Sequence, residues 1–158
     1  MDKPVDQETP GHAALRKGRF SREGQVYLVT FTTYRRRPWF FDFHQACTAC
    51  REICDSRNWQ SSALKAWVLM PDHWHGLVEL GPDKTLSQTI QSLKANTARR
   101  IRKAHPGIGR IWAPSFHDRA IRSDEDLVHA ARYLVLNPIR AGLSRRIRDY
   151  PFWDAVWV

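Results

Sequence analysis

The chain has 158 residues, enough for one domain with a sizeable core, and 25 Lys and Arg against 16 Asp and Glu give it a formal net charge of +9. That surplus concentrates polyanions and points to nucleic acid or an anionic surface. No 18-residue apolar run and no apolar leader in Met1 to Gly11 are present, so no membrane span and no secretion are expected, and the expected location is cytoplasmic, with the nucleoid.

Residues 1–15, with Pro4, Pro10 and Gly11, read as a flexible tail, and 16–158 as a single domain. Tyr27 to Thr33 (YLVTFTT) is rich in β-branched and aromatic residues and reads as a strand that Arg35-Arg36-Arg37-Pro38 ends. Asp42 to Asn58 reads as a helix. Its Phe43, Ala46, Cys47, Cys50, Ile53 and Cys54 recur at helical spacing, so the CxxC of Cys47 and Cys50 reads as part of an apolar face. No second CxxC completes a zinc site.

Ala63 to Met70 and His73 to Leu80 read as two strands joined in a hairpin by Pro71-Asp72. Thr85, with Gln88 three residues later, caps a second helix whose buried stripe is Leu86, Ile90, Leu93, Thr97 and Ile101. His105-Pro106-Gly107 stops it. A fourth strand is expected over Phe116 to Ile121, and a third helix over Asp124 to Leu136, capped by Ser123. Asn137-Pro138 ends or bends that helix, because a residue before proline avoids the α region. Trp153 to Val158 is expected to dock as a strand or an apolar tail. This succession implies an α+β sandwich, a mainly antiparallel sheet with helices packed on it.

Two features carry chemistry. On a strand, His73 and His75 share one face and Trp74 the other, so two imidazoles can grip one cation that polarises a phosphate oxygen. Leu77 stands where an HxHxDH hydrolase needs Asp, and the chain is too short for a barrel hydrolase. In the third helix, His129, Tyr133 and Asn137 are spaced by four and form one polar stripe beside Leu127, Ala130, Ala131 and Leu134. Tyr133 is therefore expected at the edge of the buried face rather than in open solvent. A phenol attacks well only when a metal or base assists it.

Taken together, VLMPDHWHGLVEL (Val68 to Leu80), FHDRAIRS (Phe116 to Ser123) and ARYLVLNPIRAGL (Ala131 to Leu143) resemble the REP-associated tyrosine transposases. These belong to the single-tyrosine HUH superfamily and are related to insertion-sequence transposases. YLVTFTTYRRRPWF (Tyr27 to Phe40) fits that family's first strand, so the resemblance spans roughly Arg16 to Leu143. It implies a ferredoxin-like HUH nuclease fold. It further implies Mg²⁺ or Mn²⁺ held by His73, His75 and Asn137, with Tyr133 as nucleophile. The implied reaction is cleavage and transfer of single-stranded DNA beside REP-type hairpins through a 5′-phosphotyrosine link. Insertion-sequence relatives often carry Gln where Asn137 stands. The expected partner is single-stranded or hairpin DNA with REP-like palindromes, bound by a monomer or homodimer without any membrane.

For DNA contact, the candidates are Arg16, Lys17 and Arg19 in an N-terminal arm, Lys94, Arg99, Arg100, Arg102 and Lys103 on the second helix, and Arg122. Trp39, Trp112 and Phe116 are candidate stacking platforms for unpaired bases. A domesticated hairpin-binding protein without turnover is the competing function. An unrelated small metal hydrolase is disfavoured by the charge and by Leu77.

Overall fold

The computed structural model describes residues 21–157. Its framework is β1 (Val26–Thr32), α1 (Phe43–Ile53), β2 (Ala63–Met70), β3 (His73–Glu79), α2 (Leu86–Ala104), β4 (His117–Ala120), α3 (Asp124–Val135), α4 (Asn137–Arg140) and β5 (Trp153–Ala155). The first six elements run βαββαβ, and the sheet order β4-β1-β3-β2-β5 places β3 at the centre, between β1 and β2. This is the ferredoxin-like arrangement with one strand added at an edge. All four strand pairings are antiparallel.

Alternation along β1 and β3 separates the sheet into two faces. On one, Phe31 lies opposite Trp74, and their rings stack at 4.9 Å. Trp112 meets Phe31 edge-on at 4.8 Å and donates its Nε1–H to Thr97 of α2 at 2.8 Å. This face, with α2 over it, holds the densest aromatic packing. Gly76 makes room for it: a Cβ there would fall 2.0 Å from the Trp74 ring. On the other face, His75 lies opposite Thr30 and Leu77 opposite Leu28, and α3 crosses β2, β3 and β5. Ala130, Ala131 and Leu134 are its buried residues.

The local signals act where expected. Met70 pairs with His73 across the Pro71-Asp72 turn. Thr85 and Gln88 form a reciprocal capping box on α2, and the Ser123 side chain accepts from the Asp126 backbone N–H at the start of α3. Three expectations are corrected. α1 ends at Ile53, because Asp55 accepts from the Arg57 N–H and opens a separate 3₁₀ turn over Ser56–Asn58. Its buried residues are Ala46, Ala49, Glu52 and Ile53, while Phe43 and Cys54 are exposed and Cys47 and Cys50 partly buried. Trp112 and Phe116 are each 5% exposed, so their rings serve the core and offer no stacking surface to bases. The C-terminal stretch docks as β5 on β2.

Candidate nuclease site

β3 carries His73 and His75 on the α3 face, one residue beyond the hairpin turn, and their rings meet edge-on at 4.6 Å. Each imidazole is fixed through Nδ1. His73 Nδ1 lies 2.5 Å from Asp72 Oδ1, and a carboxylate can only accept, so this nitrogen bears a proton and, in the neutral ring, Nε2 carries the lone pair. His75 Nδ1 lies 2.7 Å from Thr30 Oγ1, a hydroxyl that the β1–β3 register supplies. Hydrogen bonding at one ring nitrogen to orient the other is the usual support of a metal-binding histidine. Burial first, then the neighbouring His73, Arg140 and Arg36, push His75 down to about 3. It is thus a neutral imidazole across the physiological range.

Asp72 is held in turn. Arg36 Nη1 reaches its Oδ2 at 3.2 Å. Burial works against the Asp72 charge, but the bond to His73, then the His73 and Arg36 charges, outweigh it and lower its pKa. Arg36 and the preceding Arg35 both take left-handed backbone, with φ of 54° and 55°. Two such non-glycine residues in succession store roughly 1–2 kcal/mol each. Thr33 anchors the segment, donating through Oγ1 to Arg37 O at 2.7 Å and through its N–H to Asp72 O at 2.8 Å. The strain sits directly beside the histidine pair.

α3 and α4 supply the rest. Tyr133 is 57% exposed, more open than its place beside the apolar stripe implied, because Leu134 rather than Tyr133 points at the sheet. Pro138 lacks an N–H and interrupts the helical ladder, so the chain restarts as α4 with Asn137 at the junction. Asn137 Oδ1 accepts from Arg140 Nη2 at 2.7 Å, and its Nδ2 is buried without a partner among the described residues. The same Nη2 donates to Tyr133 O at 2.7 Å, and the guanidinium carbon stands 3.8 Å from the centre of the Tyr133 ring.

The chemistry of the donors present suits a divalent cation. Two Nε2 lone pairs share one face, and a carbonyl oxygen offers two lone pairs, so Asn137 Oδ1 keeps one beyond its bond to Arg140. Among the described residues no group of three His, Cys, Asp or Glu side chains is placed to hold a metal ion, so the histidine pair has no third ligand of those types.

Other site candidates disperse. Arg99, Arg100, Arg102 and Lys103 are exposed on α2, on the sheet face opposite the histidines. Arg99, Arg100 and Lys103 line a cavity of about 470 Å³ with Arg57, Asn58 and Asn96. Asn96 Oδ1 accepts from Arg99 at 2.9 Å, and Arg100 Nε stands 3.7 Å from Glu52. Lys94 is corrected: it is 9% exposed and donates to the Ala113, Pro114 and Ser115 carbonyls at 2.6, 3.3 and 3.1 Å. It staples the segment leading into β4 and has no face for a phosphate. Arg122 is exposed at the entrance to α3, roughly 16 Å along the helix axis from Tyr133. Arg16, Lys17 and Arg19 lie outside the described residues.

Sequence reasoning overlooked Thr30, Arg36, Asp72 and Arg140. Arg140 was within reach of it, three residues past Asn137 and seven past Tyr133 on one helical face. Asp72 adjoins His73. Thr30 leaves no signal, since only register brings it to His75.

Comparison with known proteins follows the same lines. A family model described as "Transposase IS200 like" matches residues 21–133. An Escherichia coli (strain K12) protein named REP-associated tyrosine transposase is 30% identical over 90 residues, which make up 56% of this chain and 52% of that protein. The chain thus matches about half the length of that relative. A Haemophilus influenzae relative is 23% identical over 144 residues, 84% of this chain and 80% of its own. A solved structure of a REP-associated tyrosine transposase bound to a REP hairpin superposes with a TM-score of 0.67 at 25% identity, covering 85% of this chain and 79% of that one.

Proposed function

The chain belongs to the IS200-like transposase family, and from that premise we propose that it breaks and rejoins single-stranded DNA beside REP-type hairpins, with Tyr133 as nucleophile. The observation that carries this reading is the histidine pair, two imidazoles each hydrogen-bonded through Nδ1 on the face that α3 crosses. His73, His75 and Asn137 would hold the metal, Mg²⁺ or Mn²⁺. When bound, it supplies Lewis-acid stabilisation of charge on the phosphate. Two nitrogen donors suit Mn²⁺ better than Mg²⁺, which prefers oxygen.

The chemistry balances without water or a nucleotide cofactor. The Tyr133 oxygen loses its proton and bonds to phosphorus. The bond from phosphorus to the 3′ oxygen breaks, and that oxygen takes up a proton. The protein is then joined to the 5′-phosphate, and a diester has replaced a diester, so a second 3′-hydroxyl can reverse the step onto another strand. Asp72 and Thr30 keep the imidazoles oriented throughout. The α2 cations, on the opposite face, would hold the hairpin backbone away from the cleavage point.

The test is incubation of a labelled hairpin oligonucleotide bearing single-stranded flanks with protein and Mn²⁺, followed by a denaturing gel. Wild type forms a protein–DNA adduct with its link on the 5′-phosphate, and Tyr133→Phe forms none while still binding the hairpin. Hairpin binding by the wild type without adduct would identify a binding module lacking turnover. A link to a 3′-phosphate would refute the stated mechanism.

A further inference from the structure

Arg140 bonds the Asn137 amide and stacks on the Tyr133 ring, and nothing in the reaction above uses it. We propose, building on the strand-transfer reading, that Arg140 anchors the phosphodiester under attack, its guanidinium holding the non-bridging oxygens for Tyr133.

Three observations place it. Its guanidinium carbon lies 3.8 Å from the Tyr133 ring centre, so the planar cation is stacked on the nucleophile. Its Nη2 is committed to Tyr133 O and Asn137 Oδ1, both at 2.7 Å, which fixes the fork in place. Its positive charge is one of the influences that lower the His75 pKa, after burial and His73. A guanidinium has five N–H donors, and Nη2 carries two of them. The three on Nε and Nη1 have no hydrogen-bond partner among the described residues. An exposed arginine held by one nitrogen and open at the others is a pre-oriented receptor for a dianionic-like transition state. The planar fork matches phosphate oxygens bidentately, which a lysine cannot reproduce.

A plainer role competes. Pro138 breaks the ladder at the end of α3, and an arginine near a helix C-terminus satisfies a carbonyl there. That role uses one N–H bond to Tyr133 O. It requires neither the stack on the Tyr133 ring nor the influence on His75.

The experiment separates the two roles from the substrate side. The scissile phosphate is first mapped from the wild-type adduct. The full chain and Arg140→Gln are then compared on two oligonucleotides, one native and one carrying a methylphosphonate at that position, which removes the charge on a non-bridging oxygen. Affinity is measured in parallel in a Tyr133→Phe background, where the strand stays intact.

On the native strand, Arg140→Gln slows adduct formation by about 100-fold, the scale seen on removing one charge-stabilising donor. On the methylphosphonate strand, the wild type and Arg140→Gln differ by no more than about threefold, because the charge Arg140 would meet is gone. An equal ratio on both strands would show that Arg140 only caps the helix, and would overturn the proposal. Should Arg140→Gln melt well below wild type, Arg140→Lys takes its place. It keeps a donor for Tyr133 O, so a helix cap alone predicts wild-type rates on both strands, and an anchor predicts a loss confined to the native strand. Absence of any wild-type adduct on the native strand would refute the strand-transfer reading itself and this proposal with it. A wild-type adduct with equal ratios refutes the anchor alone.

Discussion

Asp72 bonds the His73 imidazole and Arg36, so its removal should separate metal binding from folding. Asp72→Ala deletes the acceptor 2.5 Å from His73 Nδ1 and frees Arg36, whose contact with Asp72 is 3.2 Å. The ion pair is solvent-facing on the arginine side, with 62% of the Arg36 side chain exposed, so its loss should change stability by less than about 1 kcal/mol. The Asp72 backbone carbonyl, which accepts from the Thr33 N–H at 2.8 Å, remains. Metal affinity should respond far more. Without Asp72, His73 loses its tautomer control and ring orientation, and removing such a partner typically lowers affinity about 10–100-fold, equivalent to about 1.4–2.7 kcal/mol. Thr30→Val removes a neutral hydroxyl from His75, whose bond is roughly half as strong as a charge-assisted one, so its effect should be several-fold smaller. Calorimetric titration of Mn²⁺ into wild type, Asp72→Ala, Thr30→Val and His73→Ala, alongside urea denaturation, measures both quantities. A dissociation constant for Asp72→Ala within about twofold of wild type, when His73→Ala no longer binds, would refute the reasoning.

Lys94→Met keeps the stem but leaves the Ala113, Pro114 and Ser115 carbonyls without their donor, and should destabilise the fold by about 2–3 kcal/mol in urea denaturation. Burial first, then Arg110, push Lys94 down to about 8 from 10.5, so the buried charge carries a penalty below pH 8. Between pH 8 and 10.5 the unfolded chain binds the proton more tightly, and wild-type stability should rise with pH relative to Lys94→Met. A parallel pH dependence in the two proteins would count against this. Replacing Arg99, Arg100 and Lys103 together with Ala should reduce the salt dependence of hairpin binding, each lost phosphate contact lowering the log–log slope by about 0.9 on duplex stem. Arg100, already facing Glu52 at 3.7 Å, should contribute least of the three, and an unchanged slope would place DNA elsewhere.

The periodicities of the chain were sufficient for its local structure. The Pro71-Asp72 hairpin, the Thr85–Gln88 capping box, the Leu86 to Ile101 stripe and the Ser123 cap are contacts between near neighbours, and a strand repeat of two already puts His73 and His75 on one side. The family motifs supplied Tyr133 and Asn137 as companions to that pair. Periodicity gives the direction of a side chain but not what it meets. Thr30 reaches His75 only because the β1–β3 register sets them opposite each other across 45 residues of chain. Lys94 looks like a surface cation by sequence. It is buried because three carbonyls of a distant segment converge on it. The helical pattern also left open which side of the sheet α2 covers. Packing of Trp112 between Phe31 and Thr97 decides it, and so puts the basic helix and the histidines on opposite faces. Helical spacing alone puts Arg140 on the face of Tyr133 and Asn137, but its two bonds through Nη2 and its stack on the Tyr133 ring are seen only in the folded chain, past the break at Pro138.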